Sequence, residues 1–129
     1  DTYEIEYITE WVEELNFVSK SDEPYFTGGI VVEDYAYIPS CCTNVVLKLE
    51  LCSGKTSIIY LDTDVLGFNG IEYVDGMFWL VARNSDTLLK WNEVTEDICK
   101  IVIRDKGGKG YLGFYEPLVY KKKILLQVF

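Results

Sequence analysis

"FNGIEYVDGMFWLVARNSDTLLKW", residues Phe68 to Trp91, decides the fold. Two strand-forming runs, Gly70 to Val74 and Met77 to Ala82, flank Asp75-Gly76. Asp-Gly between apolar runs signals a tight hairpin, because the turn needs φ > 0 at both central positions and Gly adopts it without a Cβ clash. A third run, Thr87 to Asn92, follows the turn-formers Asn84 to Asp86, and a fourth, Cys99 to Ile103, follows Thr95 to Asp97. The quoted stretch therefore reads as the first three of four short antiparallel strands.

The unit recurs. "FTGGIVVEDYAYIPSCCTNVVLKLELCSGKTSIIYLD", Phe26 to Asp62, lies over Phe68 to Arg104 at an offset of 42. Phe26 meets Phe68, Gly28 meets Gly70, Val32 meets Val74, Leu47-Lys48 meets Leu89-Lys90, and Ile59 meets Ile101. Tyr37 falls on Trp79 and Leu49 on Trp91. A third start, "YLGFYEPLVY" from Tyr111 to Tyr120, repeats aromatic-x-Gly 43 residues after Phe68. "KKKILLQVF" then reads as a turn, Lys121 to Lys123, and one more strand. A lone four-stranded sheet cannot bury both faces, and stacking on a neighbour does so, which accounts for apolar residues on both faces of "MFWLV".

Aromatic-x-Gly opening a unit, "DGMFWLV" as second strand and "LLKW" or "VLKLEL" as third resemble kelch-like and other bacterial β-propeller repeats, from Phe26 to Phe129. The kelch double glycine is missing from its place, Gly28-Gly29 falling in the expected first strand, and no WD dipeptide ends the third. The resemblance implies an all-β fold of four-stranded antiparallel blades. Its expected divisions within one domain, 1–129, are an N-terminal segment 1–25, blades 26–66 and 67–110, and a half blade 111–129. The 42-residue phase puts Tyr3 to Thr9 in the place of a third strand and Asn16 to Ser19 in that of a fourth, so the N-terminus would complete the half blade. Against this, Ile8, Trp11, Val12 and Leu15 share one helical face, so Thr9 to Leu15 reads equally as a short helix. Three blades do not close a ring, since propellers have about four to eight. The expectation is a piece of a longer chain, which the absent initiating Met favours, or two copies pairing into a six-bladed ring. An open stack with exposed edges is a third form.

Composition bounds the function. The chain has 129 residues, a net charge of -9 and no His. The acidic balance argues against nucleic-acid backbones and anionic membranes as partners. Without His, Ser-His-Asp and Cys-His catalysis are excluded. Cys41, Cys42, Cys52 and Cys99 lack zinc spacing and read as free thiols, which leans toward a cytoplasmic compartment; a bridge from Cys41 or Cys42 to Cys52 is an alternative. No cofactor is expected.

By the resemblance, loops between blades and those joining second to third strands share one rim: Ser40 to Asn44, Asp62 to Asp64, Arg83 to Asp86 and Arg104 to Lys109. The candidate binding residues are Asn44, Asp62, Asp64, Arg83, Asn84, Ser85 and Asp86. Asp62 and Asp64 in "LDTDV" have the oxygen chemistry for a hard cation, but nothing extends the pattern, and a solvated turn is the plainer reading. "DKGGKG", Asp105 to Gly110, lacks the helix a phosphate-binding loop needs. Glu72 and Glu116 sit in expected first strands, where paired carboxylates do acid–base work on glycosides; polar channel lining is the bland reading. The five Glu between Glu4 and Glu14 read as a solvated face. The expected function is a non-catalytic binding or scaffold module for a protein, peptide or glycan. A carbohydrate-active hydrolase or lyase, and a structural self-associating repeat, are the alternatives. Partners are that unknown ligand, and a second copy or further blades of the same chain.

Overall fold

A computed structural model describes residues 4–5, 25–103 and 117–126. Its ten strands are β1 (Ile30–Val32), β2 (Tyr35–Pro39), β3 (Val45–Glu50), β4 (Thr56–Tyr60), β5 (Phe68–Val74), β6 (Met77–Ala82), β7 (Thr87–Trp91), β8 (Ile98–Val102), β9 (Leu118–Tyr120) and β10 (Lys123–Leu125). No helix occurs among the described residues. The expected helix or strand over Thr9 to Leu15 lies outside them, as do Asp105 to Gly110 and Glu116.

The strands form three open antiparallel sheets, in the orders β1-β2-β3-β4, β5-β6-β7-β8 and β9-β10. The 42-residue phase holds through the first two: β2, β3 and β4 begin at Tyr35, Val45 and Thr56, and β6, β7 and β8 at Met77, Thr87 and Ile98. Even the isolated bridge Phe26–Ser40 recurs as the Phe68–Ala82 pair. Two details depart from expectation. Gly28-Gly29 precedes β1 rather than lying in it, and a Cβ on Gly29 would meet the Ile38 side chain at 2.8 Å. The third hairpin keeps a 46-residue offset from the second, not 43, since Lys121-Lys122 stands where Asp75-Gly76 does and Lys123 already pairs with Tyr120.

Alternation along each strand assigns its faces. Tyr37, Val46 and Ile59 on the first sheet meet Ile71, Phe78, Leu80, Leu89 and Trp91 on the second in one core. Leu80 and Leu89 are fully buried opposite each other. The other face of the second sheet carries Trp79, Val81, Leu88 and Ile101, with Leu126 after β10 packed among them. Thus the third sheet sits on the second as the second sits on the first. Three aromatic rings join the first two sheets: Tyr37 lies 4.4 Å from Phe78, and Phe78 stacks on Trp91 at 4.9 Å.

Candidate functional site: a shared loop edge

Three loops meet at one edge of the two larger sheets because their backbones bond to each other. Gly67 N–H donates to the Thr43 carbonyl at 3.0 Å, Phe68 N–H to Ser40 at 2.9 Å, and Arg83 N–H to Gly67 at 3.0 Å. The Arg83 guanidinium adds a bond to the Cys41 carbonyl at 3.3 Å. Ser40, fully buried, accepts at its hydroxyl from the Cys42 and Thr43 amides, fixing the turn that offers those carbonyls. Gly67 is obligatory: its φ is +94°, and a Cβ there would strike the Cys41 carbonyl.

The edge holds a cleft of about 300 Å³ lined by Asp64, Gly67, Asn84, Ser85, Thr87 and Lys100, among others. Lys100, from β8, donates to Asp64 at 3.0 Å. That bond and the ammonium charge hold the Asp64 carboxyl below its usual range. Asn84 is exposed and Ser85 half-buried, so the cleft offers an amide, a hydroxyl and an exposed ion pair to a polar ligand. No aromatic side chain lines it among the described residues.

The expected site residues divide. Asp64, Asn84 and Ser85 come together, and Arg83 stands beside them. Asn44 is committed to structure, its side-chain amide donating to the Leu61 carbonyl at 2.8 Å. The Asp86 carbonyl accepts from Ile103 N–H at 2.7 Å, tying the second-to-third strand loop to the end of β8, and Asp86 does not line the cleft. Asp62 faces a different groove, of about 460 Å³, between the outer strands of the two sheets, with Tyr60, Glu93 and Glu96. The two aspartates therefore do not converge, and no cluster of three metal-ligating side chains occurs among the described residues. Glu72 pairs across to Trp79 on β6 and is half-buried. Glu116 lies outside the described residues. All four cysteines are free, which sets aside the Cys41 or Cys42 bridge to Cys52; burial raises the Cys41 thiol above its usual pKa.

A second polar cluster, between the sheets, was not expected. Lys48 on β3 donates to Glu93 Oε1 at 2.5 Å and sits 4.3 Å over the Tyr35 ring and 5.4 Å over the Tyr37 ring. Glu93 Oε2 is buried with no hydrogen-bond partner among the described residues. Burial, and then the neighbouring Glu93 carboxylate, push the Tyr37 phenol well above its usual range. The sequence held one signal for it: Lys recurs at the same place, as Lys48 and Lys90, inside otherwise apolar third strands.

No family model matches the chain, and no curated protein matches it. One solved structure resembles it. Titled "Structure of YjhT", it superposes with a TM-score of 0.55 at 18% identity, over 81% of this chain and 34% of that one. This chain thus spans about a third of the YjhT chain, and the likeness is one of fold alone.

Proposed function

We infer that the stacked sheets are blades of a β-propeller of the kelch-like kind, and that the chain is a non-catalytic binding module with its ligand at the shared loop edge. The hydrogen-bonded union of loops 40–44, 61–67 and 83–86 carries this reading. Rigid elements presenting joined loops are how binding sites are ordinarily built, since little ordering entropy is then lost on contact. The neighbour's greater length agrees with a ring that needs more sheets than this chain describes.

The cleft suits a small polar group: a glycan hydroxyl pattern or a polar peptide side chain, met by Asn84, Ser85 and the Asp64–Lys100 pair. Among the described residues of the cleft, sugar recognition rests on hydrogen bonds. A glycan array and a peptide array probed with the labelled chain test this. Ligands whose binding falls about tenfold or more in Asn84→Ala, the loss of one or two good hydrogen bonds, support it. Ligands insensitive to Asn84→Ala and Lys100→Met would move the site elsewhere. The hydrolase reading has no equivalent support among the described residues: Glu72 lies away from this cleft, and the one carboxylate described in its lining is Asp64, which pairs with Lys100.

A further inference from the structure

The first sheet shows what completes this repeat, and the third shows what it lacks. Between the first and second sheets, Tyr37 and Lys48 are covered by Phe78 and Trp91, while Glu93 takes the lysine charge. Between the second and third, Trp79 and Lys90 repeat the arrangement, with Lys90 Nζ 5.4 Å from the Trp79 ring. Here the 46-residue phase puts Ile124 in the place of Phe78, but nothing among the described residues takes the places of Trp91 and Glu93. Consequently Trp79 Nε1 is buried with no hydrogen-bond partner, and Lys90 has no anionic partner among the described residues. The far edge of β10 has no strand beside it among the described residues, and Leu118, Tyr120 and Leu125 are 66%, 60% and 49% exposed.

The missing third strand has a counterpart elsewhere in the chain. The 42-residue phase puts Ile5 in register with Leu47 and Leu89. Those two leucines are 4% and 0% exposed, whereas Ile5 is 78% exposed. The same phase puts Tyr7 on Trp91 and Glu10 one residue past Glu93. One segment therefore carries a third-strand sequence, and one sheet shows two strands among the described residues. Ile5 and the third sheet's Leu118, Tyr120 and Leu125 are exposed apolar side chains that pairing would cover, and Glu4, Glu6 and Glu10 are opposite in charge to Lys90, Lys121 and Lys123.

We propose that the N-terminal segment around Glu4 to Glu10 of a second copy of this chain adds to the free edge of β10. By the pairing of Leu80 with Leu89, Ile5 of that copy lies opposite Leu126. A carboxylate from its acidic run reaches Lys90 and Trp79 Nε1. The exchange is reciprocal, so one two-fold axis satisfies both third sheets and leaves neither copy with an open β10 edge. It does not depend on what the loop edge binds.

Light scattering on the full chain at tens of micromolar reads the mass, with twice the chain mass expected and the single-chain mass overturning the proposal. Ile5→Asp is expected to release the single-chain mass while the far-ultraviolet strand spectrum is kept; a folded Ile5→Asp dimer overturns it. Carbodiimide joining of a mixture of heavy-isotope and ordinary protein identifies the contact. Mixed-isotope pairs of Lys90 or Lys123 with an acid between Glu4 and Glu14 are expected. Pairs of one isotope only mean closure within each chain, and no such pairs mean no contact; either result overturns it.

Discussion

Gly67 shows how much of the candidate site hangs on single residues. Its φ of +94° and its approach to the Cys41 carbonyl let the loop before β5 reach the loop after β2. Gly67→Ala is expected to cost about 1–3 kcal/mol, toward the upper end because strain and steric overlap add, and urea unfolding checks it. The inter-sheet pair follows a different rule. Lys48 and Glu93 are each less than a third exposed, so breaking the pair strands a charge between aromatic rings. Glu93→Gln alone is expected to cost about 1–3 kcal/mol, while Lys48→Met with Glu93→Gln together restores most of it. A double-mutant cycle measures the difference. Tyr37 supplies a pH signature. The fold favours its neutral phenol, so the folded pKa lies above the unfolded value of 10.0. That contribution is fully present below the unfolded value and is lost as the pH rises above it. Stability should therefore drop at alkaline pH by more in the native chain than in Tyr37→Phe, read from urea midpoints across the range.

Turns set the elements, and they show what residues alone convey. Asp75-Gly76 was legible because it takes φ of 51° and 78°, where a Gly is the expected occupant. Lys121-Lys122 adopts the same turn at 46° and 60° with no glycine, so only its place between two apolar runs marked it. Replacing that pair by Asn-Gly is expected to stabilise the chain by about 0.5–1 kcal/mol, visible as a raised melting temperature. Gly54 and Glu96 occupy equivalent places before β4 and β8, both left-handed, at 72° and 64°. The strands of the second unit were readable to within about two residues, because period-two alternation and turn-formers agreed, and the first unit follows it in the same phase. The cluster of Lys48, Glu93, Tyr35 and Tyr37 was not readable. Its members meet only across the stack, and no local pattern links residues 45 apart, as Lys48 and Glu93 are.

For the whole molecule, stacking of like sheets explains both the buried cores and the shared edge. When one sheet sits on the next in constant phase, equivalent loops come to the same side. The resemblance to propeller repeats implied one rim for Ser40 to Asn44 and Arg83 to Asp86, and Arg83 does reach the Cys41 carbonyl. It did not divide the work among them. Asn44 and Asp86 hold the loops, while Asp64, Asn84 and Ser85 face the cleft with Lys100, whose role depends on where β8 lies. The union of the loops is the claim on which the binding reading rests. Amide hydrogen exchange tests it most directly, at the Gly67 and Cys41 N–H groups, which donate to Thr43 and Tyr25 across loops. Protection of both comparable to the central strands β3 and β7 is the predicted result. Exchange of Gly67 at the rate of an open loop, with β3 and β7 still protected, would contradict it.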